Sequence, residues 1–257
     1  FPSERLPPGM WIAGVGIRRE NSRLAGIFAR KHCFKMFMRM LVTITAYLFH
    51  PLLMVFAALF LLLCLKPHLF GVPVWTEQST LVVLIFIYTC FIPAVAMGLL
   101  KLTGLLKRLD MPERHDRFIP MIICAIFYLW LWINLKSQSG IPLLMNATIL
   151  VSIVGVFMAF IANTLIKISL HGVAMGAFCT LWWLIRTGHS GDGVLRFRFA
   201  ETGVSEVHLH SVIAVSLIVA GWVGLTRLWL GAHKPSEWYL GLAVGCLSAI
   251  LAFSYTF

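Results

Sequence analysis

The sequence predicts an all-α membrane protein, a polytopic transmembrane helical bundle of about six to seven spans. Three observations predict it. Of the 257 residues, 60% are hydrophobic and 12% charged, whereas a soluble domain carries roughly twice that share of charge. Mean hydropathy is +0.88, and the apolar residues gather into runs of about 20, the length that crosses a hydrocarbon core. The cations gather in the N-terminal arm and between the runs, so the net charge of +11 suits anionic headgroups, topology signals or a phosphate-bearing ligand, not nucleic acid.

Residues 1–38 are rich in Arg, Gly and Pro and form a basic N-terminal arm. It is expected to be disordered or non-native, apart from a transmembrane domain over residues 39–257. The first span is predicted over Leu41 to Leu65, interrupted at Phe49-His50-Pro51, where proline removes a backbone donor and kinks the helix. The second covers Thr80 to Leu100 with Pro93 inside, and a charged loop, Lys101 to Arg117, follows it. The third covers Phe118 to Leu135, with Trp130 and Trp132 as interfacial anchors. The fourth covers Ile141 to Ala162 and ends in a short polar break, Asn163 to Lys167. The fifth covers Ile168 to Ile185, and Arg186 to Val207 reads as a polar loop. The sixth covers Leu209 to Leu230, and the seventh starts near Trp238.

Parity then organises the polar residues. Each span carries the chain across the bilayer, so the segments after spans two, four and six share one side. Those segments hold Lys107 to Arg117, Ser169 with His171, and Arg227 to Glu237. His189, His208 and His210 fall on the other side and receive no role. His50 is expected to have a hydrogen-bonded structural role.

The third segment reads Thr226-Arg227-Leu-Trp-Leu-Gly-Ala-His233-Lys234-Pro235-Ser236-Glu237. His233 and Glu237 are four apart, so on a helix the carboxylate can hold the imidazole and raise its basicity. Arg227 is suited to bidentate contact with phosphate oxygens. In the second segment, Lys167-Ile-Ser169-Leu-His171-Gly172, a histidine near a span start is costly without a partner. Here His171 reads as a proton donor, with Ser169 and the helix N-terminal amides toward an anion. In the first segment Arg114 and Arg117 lie one turn apart and face one phosphate if the loop is helical.

Together these residues resemble the type-2 phosphatidic acid phosphatase superfamily of membrane lipid phosphatases, in a divergent bacterial branch. The superfamily's third signature part is Ser-Arg, five residues, His, three residues, Asp. Arg227, His233 and Glu237 fall on it, with Thr226 for Ser and Glu for Asp. Its second part is Pro-Ser-Gly-His, which Ser169 and His171 match with Ile168 and Leu170 in the other two places. Its first part is a lysine and an arginine with six residues between them, then proline. Lys107 and Arg114 have that spacing, His115 stands where proline would be, and Arg117 with Pro120 offers a second register.

The resemblance implies a metal-independent, cofactor-free phosphatase acting on a lipid phosphate or diphosphate. Glu237 orients His233, which attacks phosphorus and becomes phosphohistidine. His171 protonates the leaving oxygen, and Arg227, Arg117, Arg114, Lys107 and Ser169 are the phosphate-binding candidates. The substrate classes are an isoprenyl diphosphate carrier, phosphatidic acid or phosphatidylglycerol phosphate, or a glycolipid phosphate. Phosphotransfer to a lipid or sugar hydroxyl, and non-catalytic phospholipid binding or transport, are the alternatives. The two histidines need different environments, and the sequence suggests one: a carboxylate four after His233, a lysine four before His171. The expected location is the bacterial inner membrane, with the site outward by resemblance although the positive-inside rule points inward.

Overall fold

The computed structural model describes residues 36–108, 111, 113–188, 194–198 and 204–257. The chain separates into two units, residues 1–45 and 46–257. Helix α1, Met36–Leu48, begins in the first unit, where Thr43 and Thr45 return their hydroxyls to the carbonyls of Arg39 and Leu41. All else below concerns the second unit.

Helix α2, Pro51–Leu65, starts where the sequence predicts a break. Pro51 suits the first helical position, where no amide is needed. His50 is the N-cap, its Nδ1 accepting the Leu52 amide at 3.4 Å. The next span is composite: α3 (Ser79–Phe86), a π turn (Ile87–Phe91) and α4 (Ile92–Leu102). Pro93 cannot donate to Thr89, four residues back. The freed Thr89 carbonyl lies 3.5 Å from the Tyr128 hydroxyl of the next span, which donates to it.

A 3₁₀ turn, His115–Arg117, leads into α5, Phe118–Leu135. Helix α6 runs Leu143–Leu165 and α7 runs Leu170–Gly188. The expected polar break at Asn163 is therefore shorter: Asn163 and Thr164 stay helical, and Asn163 Nδ2 donates to the Arg114 carbonyl at 2.8 Å. The segment read as a polar loop contains an antiparallel hairpin, β1 (Val194–Arg198) with β2 (Val204–His208), whose register pairs Val194 with His208 and Arg198 with Val204 along the backbone. Helices α8 (Leu209–Trp229) and α9 (Pro235–Thr256) complete the bundle.

Five of the described helices are long and apolar enough to cross a membrane, or six if the broken pair α1 and α2 counts as one span. The chain is thus an integral membrane protein of all-α bundle type. Helix α7 is not among the five. It lies among α9, α8, α2 and α6, and a helix shielded by others needs less lipid-facing apolar surface.

The α7–α9 seam is built on glycine. A Cβ on Gly172 would sit 2.8 Å from the Trp238 carbonyl oxygen, and one on Gly241 would sit 2.5 Å from that of Ser169. Gly176 faces the Leu242 carbonyl and Gly245 that of Val173 at closer range still. Both helices thus carry a small-xxx-small pair, the pattern that lets backbones touch. Gly224 of α8 receives the Trp238 ring, where a Cβ would sit 2.8 Å from it. One turn beyond Gly224 comes Arg227, so this contact holds Arg227 beside the start of α9.

Candidate functional site

Polar residues of α5, α7, α8 and α9 meet at one end of the bundle. Pro235 opens α9 at its first position, and Glu237 stands in the first turn, where the helix dipole favours an anion. Its Oε2 accepts His233 Nδ1 at 2.8 Å and the Lys234 amide at 3.4 Å. The second contact is half of a capping box, for which glutamate at this position has the right reach. One oxygen thus caps the helix and holds the ring.

A carboxylate only accepts, so Nδ1 carries the proton and the neutral ring bears its lone pair on Nε2. The side chains of His233 and Glu237 are 6% and 13% exposed. Burial lowers the His233 pKa, with Arg117 and Lys167 adding to the fall, while Glu237 opposes it.

Arg117 is buried at 5% exposure. Its Nε donates to the Met111 carbonyl at 3.0 Å and its Nη1 to that of Ile168 at 2.6 Å. These bonds tie the start of α5 to the start of α7. Arg114 turns the other way: its Nη1 donates to the Thr164 and Leu165 carbonyls at 3.2 and 3.1 Å, capping the C-terminus of α6. The loop is not helical through both arginines, so they do not share a face. Lys107 is exposed.

Ser169 is fully buried. Its hydroxyl accepts the Gly172 amide at 3.3 Å, an N-cap for α7, and its own amide donates to the Glu237 carbonyl at 3.2 Å. His171 follows in the first turn of α7. Its Nε2 lies 3.0 Å from Arg227 Nη2 and 3.3 Å from the Ala46 carbonyl. The His50 ring meets the His171 ring edge-on, with centroids 5.8 Å apart.

His50 has the hydrogen-bonded structural role expected of it, as the N-cap of α2, and its ring also borders the site, which sequence reasoning missed. Pro51 gave the only signal: a proline breaks the span, and the residue before it is free to cap and to face inward. Lys167 also departs from expectation. Its Nζ donates to the Ala232 carbonyl at 3.2 Å, and its charge acts on His233. The partner that distinguishes His171 is Arg227.

His189 lies outside the described residues, as do Asp110 and Pro112 of the charged loop. The Nε of Arg227 is buried without a hydrogen-bond partner. Arg227 therefore has one donor on His171 and another unsatisfied, and an anion between α8 and α7 would satisfy it. The arrangement can hold an oxyanion, present an imidazole lone pair to it, and supply a second imidazole nearby. No protein-family model, curated protein or solved structure matches this chain.

Proposed function

We propose that this chain is an integral-membrane lipid phosphatase. It hydrolyses a phosphate monoester or diphosphate of a lipid through a phosphohistidine intermediate. The observation that carries the reading is the His233 Nδ1 to Glu237 Oε2 bond of 2.8 Å at the mouth that Arg117, Arg227 and His171 share.

In the proposed reaction, Arg227 and Arg117 hold the non-bridging oxygens, where charge spreads during transfer. His233 Nε2 attacks phosphorus along the line of the leaving oxygen. The P–N bond forms, the P–O bond to the lipid breaks, and the electron pair departs with the oxygen. His171 gives that oxygen its proton. Water then attacks phosphorus and leaves a proton on His171, the P–N bond breaks, and phosphate is released with His233 restored. Glu237 keeps Nδ1 protonated throughout and stabilises the positive ring of the intermediate.

The substrate classes remain an isoprenyl diphosphate carrier, phosphatidic acid or phosphatidylglycerol phosphate, or a glycolipid phosphate. The proposed location is the bacterial inner membrane with the mouth outward, which thiol labelling of a cysteine placed at Lys107 in intact cells would check. The deciding assay is phosphate release from a panel of these lipids by the parent and by His233→Ala. Release by the parent, with an acid-labile phosphoprotein, is the expected result. Equal release by the variant, or none by the parent on any lipid, would reject the reading.

A further inference from the structure

One nitrogen in the site faces two incompatible partners. His171 Nε2 lies 3.0 Å from the Arg227 Nη2 donor and 3.3 Å from the Ala46 carbonyl acceptor. A ring nitrogen carries either a lone pair or a proton. With the lone pair it accepts from Arg227 and leaves the Ala46 oxygen unserved. With the proton it serves Ala46 and turns an N–H against the guanidinium.

The Ala46 oxygen has reason to want that proton. In a continued helix it would receive the His50 amide, but that amide donates to the Tyr47 carbonyl at 3.2 Å instead. Ala46 thus stands among the open carbonyls of the α1 C-terminus, where a cation is stabilised. Arg227, for its part, has a second donor, Nε, buried and unsatisfied.

We infer that binding of a tetrahedral oxyanion at this mouth is coupled to uptake of one proton by His171, with Arg227 as the latch. In the free protein Arg227 takes the Nε2 lone pair. When an oxyanion arrives, the guanidinium turns both Nη2 and Nε to its oxygens. Nε2 is released, takes a proton from solvent, and donates it to the Ala46 carbonyl. The site thereby charges its acid only when there is something to protonate. This rests on the mouth being an oxyanion site, as proposed above.

The groups able to compete for the proton are few. On the elements around the ring, Arg227, His50 and His233 act on His171. Helix α6 carries no titratable side chain, and α2 carries only Cys64, at its far end. On α9, Glu237 is bonded to His233, and Arg117 of α5 is bonded to the Ile168 carbonyl.

The test is calorimetric titration of the detergent-solubilised full chain with sodium tungstate, a tetrahedral dianion that does not itself titrate near neutral pH. Runs in buffers of different ionisation enthalpy give the number of protons taken up. The expected result is close to one proton for the parent, and a tungstate dissociation constant that rises about tenfold per pH unit over the linked range. His171→Gln should still bind tungstate with that uptake lost, while His50→Gln and His233→Gln retain it. Tungstate binding without uptake by the parent overturns the coupling alone. Uptake that survives in His171→Gln but not in His50→Gln or His233→Gln assigns the proton elsewhere and also overturns it. Failure of the parent to bind tungstate removes the oxyanion reading together with the coupling.

Discussion

The two imidazoles of the mouth are held by opposite charges. His233 stands on the α8–α9 turn with a carboxylate on its Nδ1, and His171 stands in α7 with a guanidinium on its Nε2. The first pairing fixes a tautomer and leaves a lone pair exposed. The second covers a lone pair until the guanidinium is drawn away. In the proposed reaction one residue type thus supplies a nucleophile and an acid, and the difference lies in the partner.

The largest expected effect comes from removing the nucleophilic side of this contrast. His233→Ala should lower phosphate release by about 10³-fold or more and abolish phosphoprotein. Next, Glu237→Gln keeps the shape but offers an amide to the Nδ1 edge, so the tautomer is no longer imposed. A fall of about 10²- to 10⁴-fold in turnover is expected, with Glu237→Asp intermediate because the shorter arm cannot serve both the ring and the Lys234 amide. If Glu237→Gln turned over like the parent, the carboxylate would not be what distinguishes His233. Arg227→Ala should cost about 10²- to 10³-fold, measured as phosphate release at saturating lipid.

The contrast also predicts pH behaviour. The folded His233 pKa lies below its unfolded value, which is about 6.5. Its contribution to stability is therefore fully present above that unfolded value and is lost as pH falls through the folded one. Phosphoprotein formation should fail on the same acid side. Lys167 helps to lower this pKa, so Lys167→Gln should move the acid limb of the rate profile to higher pH. A limb that stayed put or moved down would mean that Lys167 does not act on His233. The smallest effect expected is at the cap: His50→Ala should lose about 1 kcal/mol of stability, read as a shift in thermal unfolding.

Much of the bundle was legible because hydrophobic runs of membrane length leave little choice of structure. Phe118 to Leu135 coincides with α5, and the break at Pro51 falls where a missing amide requires it. The hairpin was not legible. Its segment, with glycines and both charge signs, reads as a loop, and strand pairing depends on a partner that local pattern does not name. At the site, the distant segments do meet at one end of the bundle, as parity over seven runs expects, although α7 is not among the helices long and apolar enough to cross a membrane. Parity says nothing of which donor turns where. Arg114 and Arg117 look alike in sequence, yet one caps α6 and the other bridges Met111 and Ile168. Those choices are made by carbonyls left open at the end of α6 and in the loops before α5 and α7, and open carbonyls have no signature in side-chain type.

The glycine seam between α7 and α9 has a consequence for biosynthesis. Ser169 and His171 are made with α7, whereas His233 arrives only with the turn before α9 and Glu237 with the first turn of α9 itself. The two halves lock together when Gly241 settles on Gly172 and Gly245 on Val173. Until that helix leaves the ribosome and docks, a growing chain lacks the carboxylate that holds His233. The site proposed here is therefore complete only once α9 has been made and has docked on α7.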